Sequence, residues 1–207
     1  MVTPIFRSVA LAGLVACFGL GGIQASRAAQ AVLTDPLTSW PLNFGAQGTS
    51  MMLKDGFVHI TMPTSGVNWA TYAGFNFTDQ DSSVTITPKT AGSDAGLIFW
   101  ATGPSDFYFF GVSDTAGTFG IYRHVAATGW QPIVPFMANP NVKTGATAVN
   151  TLRLVTKGNL VSLFVNGQPI GKLQIQAPPT GGTVGIIGEG SAKAPFDYAY
   201  SNLSVSQ

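Results

Sequence analysis

From Val32 onward the chain alternates short apolar and aromatic runs with clusters of Gly, Pro, Asn, Asp and Ser, the pattern of β-strands joined by tight turns. The densest region, Gly96 to Phe136, reads GLIFWATGPSDFYFFGVSDTAGTFGIYRHVAATGWQPIVPF and predicts four consecutive antiparallel strands. Asp106 introduces FYFFGVS, Asp114-Thr115-Ala116-Gly117 makes a tight connection, TFGIYRHV runs back, and Ala126 to Gly129 leads into WQPIVPF. A four-residue loop places Ser113 opposite Thr118, Phe110 opposite Ile121 and Phe109 opposite Tyr122. Strict alternation then sorts the side chains. One face is expected to carry Ile98, Phe110, Val112, Phe119, Ile121, Val134 and Phe136, with Trp100, Tyr108 and Arg123 toward one end. The other carries Phe99, Phe107, Phe109, Tyr122, His124, Gln131 and Ile133, with Gly111 and Gly120.

The flanking segments extend the same scheme. VLTDPLTSWPLNFG opens with a strand-like piece broken by Pro36 and Pro41, which suits a sheet edge or rim. SMMLKDGFVHITM predicts a hairpin turning at Asp55-Gly56, and DSSVTITPK a half-buried strand ended by Pro88. VNWATYAGFNFTD is aromatic and glycine-rich without clean periodicity, as in a loop packed on a sheet, and ANPNVKTGATAV has the composition of a surface loop. NTLRLVTK, LVSLFVN and QPIGKLQI follow as three strands, turned by Lys157-Gly158-Asn159 and Asn166-Gly167, and TVGIIGEG and FDYAYSNLSVS close the chain. About a dozen short strands with regular turn spacing and no fixed-length repeat predict an all-β, two-sheet antiparallel sandwich or jelly roll.

Composition agrees with that class. The 207 residues are 45% hydrophobic and only 9% charged, with 25 Gly and 13 Pro, too apolar for a disordered chain and too rich in turn formers for a helical bundle. Residues 1–31 have the build of a signal peptide, with Arg7 ahead of the apolar stretch Ser8 to Ile23 and the small-residue pattern Ala29-Gln30-Ala31. One domain of roughly 175 residues, 32–207, remains, expected to be periplasmic or extracellular. Leu14-Val15-Ala16-Cys17 also resembles a lipobox, which leaves a lipid anchor through Cys17 as the alternative, although the apolar run continues past it through Ile23. Without the leader, eight basic face nine acidic residues, and this near-neutral balance gives no electrostatic case for nucleic acid or an anionic membrane. Cys17 is the only cysteine, so the mature domain has neither disulfide nor thiol chemistry.

Candidate chemistry is sparse. His59 and His124 are isolated in strands and no zinc spacing exists. Calcium would have Asp35, Asp79, Asp81 and Asp197 to draw on, without the spacing of a dedicated loop, so no metal or cofactor is assigned. No serine occupies a nucleophile elbow. Asp79 and Asp81 could share a strand face but sit in the polar turn FTDQDSS, and Glu189 is the one glutamate. A binding surface fits the mixed face better: Phe99, Phe109, Tyr122, His124 and Gln131, with Trp69 at its rim, combine rings for sugar C–H faces with polar groups for hydroxyls. Two readings stay open, an exposed ligand face or rings covered by the loop Ala138 to Val149 or by VNWATYAG. Arg123 is expected to stack between Trp100 and Tyr108 as a buried structural cation.

TDPLTSW, DGFVHI, DAGLIFWA, SDFYFFGVSDTAGTFGIYR, GWQPIV, NTLRLVTKGNLVSLFVNGQPI, TVGIIG and FDYAYSNLSV, in this order from Leu33 to Val205, resemble the bacterial extracytoplasmic concanavalin A-like lectin/glucanase domains. The likeness is greatest to the subgroup related to 3-keto-disaccharide hydrolase (DUF1080, LamG-like) domains. The resemblance implies a jelly roll whose concave face often binds glycans. Glucanases of this fold carry a closely spaced Glu, Asp, Glu set on one strand, which this chain lacks, so the expected function is a non-catalytic carbohydrate- or cell-envelope-binding domain. A hydrolase acting on a (3-keto-)disaccharide and an interaction domain without a glycan ligand are the alternatives.

Overall fold

The computed structural model describes residues 31–90, 93–190 and 195–207; residues 1–30, with Cys17 and all of the expected leader but Ala31, lie outside the described residues. One antiparallel sheet contains β1 (Ala31–Asp35), β2 (Met51–Lys54), β3 (Phe57–Met62), β5 (Gln80–Thr90), β10 (Asn150–Lys157), β11 (Leu160–Val165), β12 (Gln168–Gln174) and β14 (Phe196–Ser206). Its order is β12-β11-β10-β5-β14-β3-β2, with β1 also paired to β14. The second contains β4 (Gly66–Thr71), β6 (Ser93–Gly103), β7 (Asp106–Ser113), β8 (Thr118–Val125), β9 (Gly129–Ala138) and β13 (Thr183–Gly190), in the order β4-β13-β6-β7-β8-β9. The protein is thus a two-sheet antiparallel β-sandwich of the concanavalin A-like jelly-roll class.

Local chemistry explains the turns. Asp55 and Gly56 both take positive φ (50° and 76°), as do Asn166 and Gly167 (52° and 79°), which suits two-residue hairpins. The central meander pairs as its loop length requires, with Ser113 opposite Thr118, Phe110 opposite Ile121 and Phe109 opposite Tyr122. Between the sheets, Val58, Ile60, Val84, Ile86, Leu152, Leu154, Tyr198 and Tyr200 meet Leu97, Phe99, Tyr108, Phe110, Phe119 and Ile121 in one buried core. Each large apolar side chain placed there contributes about 1.5–3 kcal/mol relative to exposure. The buried Tyr200 hydroxyl donates to the Ile187 carbonyl at 2.6 Å, tying one sheet to the other, and burial holds its pKa well above the ordinary tyrosine value.

Three expectations are corrected. VNWAT is not part of a covering loop but of the edge strand β4, hydrogen-bonded along β13 from Gly66–Gly190 to Thr71–Gly185. Pro88 does not end β5, which runs to Thr90; β10 starts opposite Ile86, so beyond it that side of β5 has no β10 partner and a missing N–H is tolerated. The loop after β9 does not lie over a sheet face. It closes one end of the sandwich, with Val142 in the core, Asn139 N–H bonded to Gly117 O and Gly145 N–H bonded to Asp114 O.

Asn166 secures that end. Its side chain accepts from Thr151 N–H at 2.9 Å and donates to Asn141 O at 2.7 Å, from a backbone that favours Asn or Gly. Asn166→Ala is expected to lower unfolding free energy by roughly 2–3 kcal/mol and Asn166→Gly by about 1–2 kcal/mol, because glycine keeps the turn and loses only the bonds. Urea titration of the two variants checks the order.

Candidate functional site

The six-stranded sheet carries a second apolar layer on the face turned away from the core. Ile98, Ala101, Phe107, Phe109 and Ile187 form it, with Val67, Trp69, Tyr122 and Phe136 packed against them. Its arrangement starts from three glycines. Gly96 pairs with Gly111 and Gly111 with Gly120, so three adjacent strands present no side chain along one row. The Phe109 ring lies down into that gap, and a Cβ added at Gly111 would stand 2.1 Å from Phe109 Cζ. Over Gly120 lie the Tyr122 and Phe136 rings, whose centroids are 5.5 Å apart. Phe109, lying over the glycine strip, and Phe107, covered by the Trp69 and His124 rings, are almost fully buried on an outward face.

Toward the β6–β7 turn the rings stand up. Trp69 reaches across from β4, its ring 5.4 Å from Phe107 and 5.5 Å from His124, and its indole N–H donates to Pro104 O at 2.8 Å. His124 stacks on Phe107 at 5.3 Å and meets Trp130 at 4.5 Å. Trp130 is 37% exposed, so this cluster is open to solvent on one side. His124 Nδ1–H donates to Ser105 O at 2.6 Å, which in the neutral ring leaves Nε2 as the acceptor. Beyond Trp69 lies a depression of about 460 Å³ lined by Thr49, Ser50, Asn68, Thr71 and Pro104, so the indole stands between an aromatic surface and a polar one.

The structure brings Trp69, Phe109, Tyr122 and His124 onto one face, as expected, and removes two residues from it. Phe99 belongs to the inter-sheet core. A bulge between Phe99 and Gly103, with Trp100 at φ 51°, turns two consecutive side chains into the core, so alternation counted back from Trp100 comes out one residue wrong: Ile98, not Phe99, faces outward. Gln131 pairs with Arg123 and points to the opposite face, where its amide donates to Thr128 Oγ; the expected place is taken by Trp130, paired with His124. Two register shifts in the β8–β9 ladder likewise send Phe136 outward while Val134 stays against the core. Arg123 is exposed rather than buried, its guanidinium 5.4 Å from the Tyr108 ring centroid.

The other candidates serve structural bonds. Asp79 accepts from Gly158 N–H, Asp81 holds Arg153 in a bidentate pair, and Asp35 takes the Leu37 N–H and the Tyr72 hydroxyl, whose pKa is raised first by burial and further by this bond. Asp197 bridges Lys54 and the buried His59. The four aspartates considered for calcium are thus spent separately, and among the described residues no group of three or more His, Cys, Asp or Glu side chains is placed to hold a metal.

A pair of carboxyl groups does emerge that sequence reasoning missed. Glu189 on β13 lies directly opposite Asp94 on β6, on the same outward face as the rings, and Asp94 is followed across β7 by Ser113. Directly opposed residues hold their Cβ atoms about 4.5–5.5 Å apart. Burial pushes the Asp94 carboxyl up to about 6; a hydrogen bond from Ser113 opposes this, and the charges of Glu189 and Asp114 add to it. Burial also raises Glu189. The pair stands six residues along β7 from Phe107, roughly 20 Å from the standing rings.

Among solved structures the chain is similar to the carbohydrate-binding module CBM66 from Bacillus subtilis, at 9% identity and TM-score 0.62, over 76% of this chain and 91% of that one. It is similar to the catalytic domain of an endo-1,3-β-glucanase (laminarinase) from Thermotoga petrophila RKU-1, at 11% identity and TM-score 0.60, over 87% and 98%. A third likeness, at 15% identity and TM-score 0.61 over 86% and 96%, is to a Bacillus subtilis protein of unknown function with a galectin-like fold. At such identities the likeness is one of fold. No protein-family model and no curated protein matches the chain.

Two outcomes follow from this geometry. Gly111→Ala is expected to cost roughly 1–3 kcal/mol by forcing the Phe109 ring off the sheet, whereas Gly171→Ala, in open space, is expected to be neutral within about 0.5 kcal/mol. Denaturant melts followed by near-ultraviolet circular dichroism compare them. For Asp94 the folded pKa lies above the unfolded one, so the protonated form favours folding: its contribution is full below pH ~4 and is lost as pH rises through about 6. Wild-type stability is expected to fall by roughly 1–3 kcal/mol across that window, and Asp94→Asn to flatten most of the fall. An unchanged slope in the variant would contradict the assignment.

Proposed function

We propose that the protein is a glycan-binding domain whose ligand lies on the outward face of the six-stranded sheet. The observation that carries this reading is the Trp69–His124–Trp130 cluster over Phe107: two indoles and an imidazole, partly open, beside a polar depression. Sugar rings present C–H faces to aromatic rings and hydroxyls to amides, hydroxyls and an acceptor nitrogen, and all of these stand within this one region. Carbohydrate-binding and carbohydrate-cleaving proteins on the same fold support the choice of ligand class. In this reading the partner is a glycan or cell-envelope component outside the cytoplasm, met after removal of residues 1–31 or from a lipid anchor at Cys17; no helix among the described residues is long and apolar enough to cross a membrane.

The test is a glycan array followed by calorimetry. Trp130→Ala is expected to weaken binding at least about tenfold, and His124→Ala and Tyr122→Ala less, with Phe99→Leu and Gln131→Ala retaining affinity when folded. Wild-type-like binding by Trp130→Ala and His124→Ala would overturn the placement.

The second reading, a hydrolase acting on a (3-keto-)disaccharide, is favoured by one observation, the opposed Asp94 and Glu189. Retaining glycosidases hold their two carboxyl groups about 5–5.5 Å apart and keep one protonated, and a carboxyl raised to about 6 has the character of the acid. Incubation with 3-keto-disaccharides and β-glucans separates the two readings: turnover abolished by Asp94→Asn and Glu189→Gln supports the enzyme, and inertness of the wild type removes it.

A further inference from the structure

At the end of the sandwich, on the far side of the β6–β7 turn from the standing rings, lies a second pocket of about 270 Å³. Trp100 and Tyr108 line it together with the Gln176–Thr180 connector, and Thr102, Asp106 and Arg123 supply its polar groups. Two side-chain hydrogen bonds hold its walls. The Trp100 indole N–H donates to Thr78 O at 3.0 Å, and the Tyr108 hydroxyl donates to Gln176 O at 3.0 Å. Trp100 sits at φ 51°, a conformation that bulky residues rarely adopt, and a Cβ at Gly182 would collide with its backbone. A strained residue held from both sides at a pocket wall is a common feature of binding sites.

The charges are arranged unusually. The described residues include two arginines, and both stack on aromatic rings. Arg153 also forms a bidentate pair with Asp81, whereas Arg123 makes no ion pair among the described residues. Asp106 borders the same pocket, yet it is not within ion-pairing distance of Arg123, and one of its oxygens instead accepts from Ala126 N–H at 3.1 Å. The pocket thus offers a guanidinium fork fixed on a tyrosine ring, a carboxylate standing apart from it, the Thr102 hydroxyl and the apolar rim of Pro178 and Pro179.

We infer that this pocket takes an acidic sugar, a uronic acid residue of a glycan, with its carboxylate on Arg123 and its hydroxyls on Asp106 and Thr102. A guanidinium binds a carboxylate through two parallel hydrogen bonds, and a carboxylate beside it accepts from sugar hydroxyls while opposing a bare anion. The turn from Gly103 to Asp106 joins the two places: Pro104 O and Ser105 O hold Trp69 and His124, while Asp106 faces the pocket. The inference rests on the glycan-binding reading, since it makes the acidic unit a neighbour of the sugars stacked on the rings.

The experiment is calorimetry of the mature chain with trimers of galacturonate, glucuronate and mannuronate and with their methyl esters, repeated on Arg123→Gln and Trp130→Ala. Arginine Nε–H and indole N–H resonances are followed in parallel. At least one acid trimer is expected to bind about tenfold or more tightly than its ester, with shifts at Arg123 and Trp100. In Arg123→Gln its affinity should fall to about that of the ester. Equal affinity for acids and esters, or an acid preference that survives Arg123→Gln, overturns the pocket. So does competition by acetate or inorganic phosphate at the concentration of the trimer, which marks an adventitious anion only. Ester binding lost in Trp130→Ala leaves the ring surface standing when the pocket fails, and acid binding that needs Arg123 but ignores Trp130→Ala overturns the ring surface instead.

Discussion

The outward face of the six-stranded sheet depends on one absence: Gly96, Gly111 and Gly120 stand side by side, so three strands share a strip without side chains. An ordinary antiparallel sheet with apolar residues on both faces needs a second partner layer or becomes an aggregation surface. Here Phe109, Tyr122 and Phe136 fold down into the strip and bury much of their own area against backbone. That leaves the face nearly flat over its middle, and only toward the β6–β7 turn do Trp69, His124 and Trp130 rise from it. A surface that satisfies itself in this way can stay exposed and still offer rings to a ligand.

The two sheets divide the work accordingly. On the outer side of the eight-stranded sheet, several polar groups meet across strands, Ser83 with Ser204, Thr85 with Thr151 and Asp81 with Arg153, while the buried His59 bonds Asp197 through one ring nitrogen and leaves the other without a partner among the described residues. Cross-strand pairs of this kind stabilise a sheet and leave little to spare for a ligand. The six-stranded sheet instead carries unmatched features. Glu189 faces Asp94, two acids where a sheet would favour opposite charges, and Arg123 at the sandwich end has a ring beneath it but no carboxylate partner among the described residues. Two facing acids cost free energy unless one of them takes up a proton, and burial together with the Glu189 charge favours that form of Asp94.

Legibility in the sequence followed the range of the interactions. The meander was readable because Asp114 to Gly117 sets the register of β7 on β8 through local turn chemistry, and the pairings of Phe109 with Tyr122 and Phe110 with Ile121 come directly from it. Alternation then failed at Phe99 and Gln131, since a bulge adds a residue with no mark in the pattern, and a Trp in the left-handed region is the last residue one would choose for it. Trp69 could be placed near the rings but not assigned to a strand, because β4 has sheet partners on one side only and shows no period-2 burial. The Asp94–Glu189 pair was invisible for another reason: β6 and β13 are far apart in the chain and adjacent only through the jelly-roll crossovers, and no local motif encodes that adjacency.

The bulge at Trp100 also links the pieces that the failed alternation separated. The bulge sends both Phe99 and Trp100 inward, and beyond it β6 runs on to Gly103, which pairs with Asp106 where the chain turns back into β7. The turn's carbonyls are then available to the Trp69 and His124 ring N–H groups, which orients both rings from below and fixes the histidine tautomer. Asp106, at the end of the same turn, is carried to the opposite side, where it faces the pocket with Arg123. The bulge thus stands next to the one turn that both holds the exposed rings and borders the neighbouring cavity. A substitution that repaired the bulge would disturb both even where it stabilised the strand.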